Sequence, residues 1–592
     1  MTEESKRGVS RRKFVAGTVA GLAVGAVVGV AGGYLGKSAV TTTSTSIQTA
    51  TSTQTTTLPA VTSTVTTTTT TTAQPWLPAS WDYSADVVVL GTGLAGLSTA
   101  IAAHDAGANV LILEKMPQEY EGGNSKVSGN IFWAPADVNL GTNYILAMQP
   151  GQYPDSGIAS ALSNGLNENM TLIKQMGGVF APFSTTAEFP TQLPGASTVT
   201  EYAMVVNGQP VLGGGHLWQL YSDAVTSRNI NIMYSTPATG LVQNSDTGEI
   251  LGVTASTGGT ASSTGVPTGG STINVKANKG VVLACGGFEF NLPMQSQFQF
   301  GYPAYGYGTP GNTGDGIQMA QMAGADLWHM NQPSGGSPGV FFVPEYPYPM
   351  ALVFAGIGSN YIWVGKDGNR FANESLGFAS HGWGVKEFGM QFSGAQAAFL
   401  RIPSWLVFDD TARAAGPLIA PLGEFCWSGW YTDYTWSSDN SVEIAKGWIT
   451  KADSIADLAA TIASDSDNAD PLGTPFMTAS ALEATITRFN GFVSSGTDSD
   501  FGRPKSTMAP IQTGPFYTVK LWPGIVNTNG GPRRNVQCQV VNPQSKPIPR
   551  LYSAGECGSF WGWMYQGGGN MGENMWTGRV AGANAAAETA WS

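Results

Sequence analysis

Charge is scarce in this chain. Asp, Glu, Lys and Arg make up 11% of its 592 residues, against about 25% in an ordinary soluble domain. The charge that is present sums to −12. That excludes nucleic acid as a partner, because a phosphate backbone needs clustered Lys and Arg. Histidine and cysteine are rarer still, with four of each. Cys285, Cys426, Cys538 and Cys557 contain no CxxC pair, so zinc ribbons, clusters and CxxCH haem attachment are excluded by spacing. His104, His216, His329 and His381 are scattered, and no metal site is expected. The low charge density suits an acidic exterior, where carboxylates are neutralised and extra Lys would repel.

One apolar run stands out. Residues 14–36 are mostly Val, Ala, Gly and Leu, and they follow "SRRKFV" at residues 10–15. A twin arginine ahead of an apolar stretch is the pattern of a twin-arginine export signal. The run is long enough to span a bilayer. Residues 1–40 are therefore read as signal and membrane anchor, and the protein as extracytoplasmic. A plain hydrophobic anchor, with the arginines serving only the positive-inside rule, is the alternative. Residues 41–80 are dominated by Thr and Ser and read as a linker or stalk. The folded part is expected to begin near Trp81.

Its first segment, "ADVVVLGTGLAGLSTAIAAHDAGANVLILEK", holds a buried-strand run, then Gly91, Gly93 and Gly96 as G-x-G-x-x-G, an Ala-rich helix, a second strand and Glu114. Each part has a physical task. The first glycine permits the turn, the second lets a pyrophosphate approach, and the third packs helix on strand. The helix N-terminus attracts phosphate, and the acid bonds ribose hydroxyls. The order of the parts predicts a dinucleotide site.

Further segments carry a resemblance. They are "GGNSKVSGNIFWAP", "GVVLACGGFEFN", "TPGNTGDGIQMAQMAGADL", "GNRFANES", "FNGFVSSGTDSDFGR", "IVNTNGG", "LYSAGECG" and "MYQGGGNMGENMWTGRVAG". In this order they resemble the flavoprotein family that contains fumarate reductases, urocanate reductases and 3-ketosteroid dehydrogenases. The resemblance implies an α/β architecture: a Rossmann-like FAD-binding domain split in sequence, with an inserted α+β cap domain. We place the FAD-binding portions at 81–329 and 516–592 and the cap at 330–515. It also implies FAD contacts at Gly123, Asn124, Ser125, Gly129, Ala238, Gly286, Asp315, Glu556, Gly569 and Asn570. No histidine stands in the early loop where some relatives attach flavin covalently, so non-covalent FAD is expected.

The same resemblance marks what the substrate pocket lacks. Where family fumarate reductases carry two arginines and a histidine that clamp a dicarboxylate, this chain has Phe378, Gln566 and Val526. A dicarboxylate would be left with unpaired buried charge. Tyr565, Gly567 and Gly569 instead match a Tyr-x-Gly-x-Gly of the ketosteroid dehydrogenases, in which the tyrosine lines the steroid pocket. Tyr565 is the first candidate proton-handling residue and His381 the second. Tyr302, Tyr305, Tyr307, Phe341, Phe342, Trp561 and Trp563 are expected around a flat, apolar substrate. The expected activity is hydride transfer between flavin and a C–C bond next to a carbonyl. Electrons would exchange with a membrane quinone or a partner protein. A different FAD oxidase or dehydrogenase, or a surface display protein, are the competing readings.

Overall fold

The computed structural model describes residues 49–58, 61–70, 76–149, 155–188, 192–352, 356–376, 391–419, 424–562, 564 and 566–591. The expected export signal, Phe378, His381, Trp563 and Tyr565 lie outside the described residues. The chain divides into two units, Met1–Pro75 and Trp76–Ser592. In the first, the Thr-rich segment forms an antiparallel ribbon of Thr49–Leu58 and Val61–Thr70, in register from Thr49 opposite Thr70 to Leu58 opposite Val61.

The second unit is built on an eight-stranded sheet. Its middle is parallel: Ser271–Leu283, Tyr83–Leu90, Val110–Leu113 and Asn231–Met233 lie side by side. Pro547–Ser553 pairs in parallel with the end of Ser271–Leu283, Val281 opposite Leu551. Strands buried on both faces should read as continuous apolar runs. Val87–Leu90 and Val110–Leu113 do so and are buried throughout. One face carries the helices Leu94–Asp105 and Gly569–Ala587, which bury Leu94, Leu97, Met571 and Met575 in a shared core.

A second sheet of seven strands stands on the long strand Phe516–Thr528, flanked by Pro333–Phe341 and Ser404–Asp409. The sequence reading opens the closing FAD-binding portion at residue 516. The strand that begins there pairs along its edges with Pro333–Phe341 and Ser404–Asp409 of the second sheet. The chain returns to the first sheet at Gln539–Val541. The helices Ile455–Ala463 and Ala479–Ser495 bury Leu458, Ile462, Leu482, Ile486 and Phe489 against Ile362, Trp405 and Val407 of this sheet. A smaller four-stranded sheet contains Ile131–Pro135, Val199–Val206 and Phe180–Ser184.

Two motifs of the second sheet hold each other. Arg370 of "GNRFANES" forks onto Glu374, with Nε to Oε1 and Nη2 to Oε2 both at 2.7 Å, and its Nη2 also reaches Asp498 Oδ2 at 2.9 Å. Arg503 of "DFGR" donates to the same Glu374 at 3.2 Å. All four side chains are almost wholly buried. Removing one partner from such a network strands the others as unpaired charge and costs about 3–5 kcal/mol.

Candidate active site

The strand Tyr83–Leu90 ends at Gly91, whose φ of +108° and close approach to the Ala284 carbonyl admit no side chain; a Cβ there would lie 2.5 Å from that oxygen. Gly96, one turn into the following helix, is closed in the same way by the Gly91 carbonyl. Gly93 differs. A Cβ on it would meet nothing nearer than Ser125 Oγ at 3.6 Å, so its missing side chain leaves space in front of the helix. The Leu94 N–H of the first turn donates to Ser125 Oγ at 3.0 Å. Glu114 ends the next strand. Its carboxylate accepts from Thr92 N at 2.8 Å, from the Thr92 hydroxyl, and from Met116 N at 2.7 Å. Burial raises the Glu114 carboxyl above its ordinary value, and these hydrogen bonds oppose it only in part.

A second helix end meets the first. Gly568, at φ +77°, caps Gly569–Ala587. Side chains on Gly578 or Gly582 would collide with the Ala95 and Thr99 carbonyls, and Ser98 Oγ donates to the Met575 carbonyl at 2.8 Å. The two helices are thus locked backbone to backbone, and both N-terminal loops line one cavity of about 620 Å³.

Among the sequence-predicted residues, Gly91, Gly93, Glu114, Gly123, Asn124, Ser125, Gly129, Ala238, Gly286, Asp315, Val526, Glu556 and Asn570 line this cavity. Three predicted residues do not. Gly96 packs helix on strand, as the third glycine of the motif should. Gly569 is the first helical residue, its N–H turned back to the Gln566 carbonyl at 2.7 Å, and Gly567 and Gly568 line the cavity in its place. Gln566 is wholly buried behind the wall. Its Oε1 accepts from the Tyr144 hydroxyl at 2.8 Å and from Glu188 N at 3.0 Å, and its Nε2 donates to Glu201 Oε1. A polar amide so placed is drawn to partners rather than to open space. The residues it holds, Glu188 and Glu201, face the cavity.

The predicted aromatic wall is also corrected. Of its described members only Tyr307 lines the cavity. Trp561 packs against Trp133, and Phe341 lies in the core of the second sheet. The apolar lining comes from Phe183, Leu212, Leu352, Phe425 and Val526 instead. Phe183, Leu212, Leu352 and Phe425 sit on loops and short strands whose sequence has no marked period, so nothing in the chain pointed to them; Val526, on the long strand, was expected. Asn312, Asn527 and Lys115 also line the cavity and were missed. Lys115 donates to Asp315 at 2.8 Å, to the Gly311 carbonyl and to Thr313 Oγ1. Among the described residues, no group of three or more His, Cys, Asp or Glu converges as a metal site would need.

Four polar atoms of lining residues have no partner in the protein: Asn312 Nδ2, Asn527 Oδ1, Glu556 Oε1 and Asn570 Oδ1. Buried polar atoms are rarely left so, and their convergence on one cavity indicates that a ligand supplies the missing bonds.

Comparison with known proteins agrees with this geometry. The model of the family described as "FAD binding domain" matches residues 86–571. The chain belongs to this family. It is 28% identical over 553 residues to a digoxin reductase of Eggerthella lenta, covering 86% of this chain and 88% of that one. It is 26% identical over 519 residues to a fumarate reductase (cytochrome) of Shewanella frigidimarina, covering 85% and 77%. In fold it resembles the 3-ketosteroid Δ1-dehydrogenase of Sterolibacterium denitrificans, solved with 1,4-androstadiene-3,17-dione, with TM-score 0.67 and 21% identity over 85% of this chain and 99% of that one. The protein is an FAD-dependent oxidoreductase acting on C–C bonds.

The residues present fit FAD. Two helix N-termini offer N–H groups and partial positive charge to a diphosphate. Gly93 leaves room for it, Glu114 keeps acceptor capacity for ribose hydroxyls, and the four orphaned atoms offer the remaining bonds. Replacing Gly93 with Leu should fill that room without touching the fold. The expected product has unchanged far-ultraviolet circular dichroism and no flavin absorbance. A yellow Gly93→Leu protein would show that the cavity is not the cofactor site.

Proposed function

We propose that this enzyme moves a hydride between non-covalently held FAD and an activated C–C bond beside the carbonyl of a neutral, largely apolar, steroid-like or aromatic substrate. Bound in the cavity, FAD supplies the centre that gives or takes the hydride. The chain's own residues would hold the substrate, exclude water and handle one proton. The observation that carries the reading is the pairing of Phe183, Leu212, Leu352, Phe425 and Val526 with Glu188 and Glu201 on the cavity wall. Among the described lining residues Lys115 is the one cation, and it is engaged by Asp315. A dicarboxylate entering this pocket would meet these carboxylates and, among the described lining residues, no guanidinium, which is costly where water is excluded.

The proton step falls to Tyr565 in this reading. A phenol can donate a hydrogen bond to a carbonyl as charge builds on its oxygen. Its chain neighbour Gln566 is fixed by Tyr144, Glu188 and Glu201. His381 is the second candidate. Outside the cytoplasm nicotinamide is scarce, and the chain has one dinucleotide fingerprint and no CxxCH. Electrons would therefore pass to or from a membrane quinone or an electron-transfer protein.

Enzyme reduced anaerobically with light should regain oxidised-flavin absorbance on mixing with a 3-keto-4-ene steroid or another cyclic enone, and should stay reduced with fumarate. Fast reoxidation by fumarate would overturn the pocket argument. With a substrate found by that screen, Tyr565→Phe should lower turnover about 100-fold, the cost of losing one oxyanion donor, with FAD content unchanged. Turnover within a few-fold of the parent would move the proton role to His381. Export rests on Arg11 and Arg12. Replacing both by Lys should leave the protein in the cytoplasmic fraction, and unchanged export would favour the plain anchor.

A further inference from the structure

Two carboxylates meet behind the cofactor cavity with no cation between them. Glu289, 1% exposed, follows the turn after strand Ser271–Leu283. Glu556 follows strand Pro547–Ser553 and lines the cavity. One amide bridges them: Asn124 Nδ2 donates to Glu289 Oε1 at 3.2 Å and to Glu556 Oε2 at 3.3 Å. Thr528 N donates to the same Glu289 Oε1 at 3.2 Å. The other oxygens, Glu289 Oε2 and Glu556 Oε1, have no partner in the protein. Both flank Gly287, where a Cβ would lie 3.0 Å from Glu289 Oε2 and closer still to Glu556 Oε1 and Thr528 Oγ1. These two oxygens therefore face a common point.

The surroundings offer no counter-charge. Asn124, Thr528 and Asn312 are neutral. Arg534 reaches the carbonyls of Gly555 and Cys557 on either side of Glu556, but its charge is paired with buried Glu573. Lys115 is paired with Asp315. Among the described residues neither Glu289 nor Glu556 makes an ion pair. Two adjacent carboxylates in such a place do not both ionise, and their protons leave in two separate steps that belong to the pair.

We propose that Glu289 and Glu556 keep one proton between their carboxyl groups at neutral pH, and that this shared proton lets the cavity hold its anionic cofactor. The inference rests on the cavity being the FAD site. Retained, the proton leaves a single negative charge at this wall. Lost, it leaves two in a cavity already lined by Glu114, Glu188, Glu201 and Asp315, which a diphosphate must enter. Burial raises both carboxyls above their ordinary range; the Glu289 charge raises Glu556 further, whereas the hydrogen bond with Glu556 offsets part of the rise at Glu289. The sign follows: the pair is protonated at low and neutral pH, and FAD affinity falls as the pH rises through its titration.

The test pairs two readouts on the full-length protein. Infrared spectra at neutral pH should show the C=O stretch of a buried protonated carboxylic acid, shifted in D2O and lost in Glu289→Gln. FAD affinity measured from about pH 6 to pH 9 should fall roughly tenfold or more in the parent, one proton being linked to binding. In Glu289→Gln the dependence should be clearly weaker than in the parent, because Glu556 then titrates without the partner charge that couples the two groups. A parent protein without the infrared band, or a variant with the parent's pH profile, overturns the proposal. Should Glu289→Gln not fold, the band in the parent decides alone. Should the parent bind no FAD at any pH, the cofactor site is refuted, and the band, measured without cofactor, still decides the shared proton.

Discussion

The contact on which the site depends is the seam between Leu94–Asp105 and Gly569–Ala587. Gly578 and Gly582 let one helix backbone rest on the Ala95 and Thr99 carbonyls of the other. No side chain fits between them, so the two axes have no slack. The segments lie more than 450 residues apart in sequence, as the Ser98–Met575 hydrogen bond records. Closing that distance brings two helix N-termini to one cavity, where their unsatisfied N–H groups add. The apolar core beneath, with Leu94, Leu97, Met571 and Met575, follows from the same approach. So does the position of the loop before the second helix, because Gly568 and Gln566 are fixed at its start.

Against that positive end the cavity wall is otherwise acidic. Glu114, Glu188, Glu201, Asp315 and Glu556 all line it, in a chain with little charge of any kind. Carboxylates concentrated at one place in such a chain mark where a ligand must be oriented by hydrogen bonds. Each is restrained by a different device. Glu114 is held by backbone N–H groups, Asp315 by Lys115, Glu201 by the Gln566 amide and Glu556 by Asn124. Fixed carboxylate acceptors are suited to hydrogen-bond donors.

The sequence made the cofactor half of the site legible because that half depends on backbone. Gly91, Gly93 and Glu114 have spacings dictated by a strand, a turn and a helix, and such spacings survive in the linear order. The second sheet was less legible. The strand Phe516–Thr528 is largely buried along its length and would suit either sheet by composition alone, so its place follows only from which neighbours reach it. The substrate half was scarcely legible. Phe183 comes from a short strand and Leu212 and Phe425 from two separate loops, and only the fold brings them together. Trp561 shows the converse, since an aromatic beside the flavin loop serves the core when Trp133 is there to receive it.

Gln566 joins these threads. The resemblance gave that position a clamp arginine in the fumarate reductases and suggested that its glutamine alters the pocket directly. The structure gives it an indirect part. A neutral amide has an acceptor end and a donor end, and both are used: Tyr144 and the Glu188 backbone on one side, the Glu201 carboxylate on the other. An arginine has no acceptor, so it would lose the Tyr144 and Glu188 N–H bonds even as it paired with Glu201. The wall that Glu188 and Glu201 present to the cavity is thus built around a glutamine.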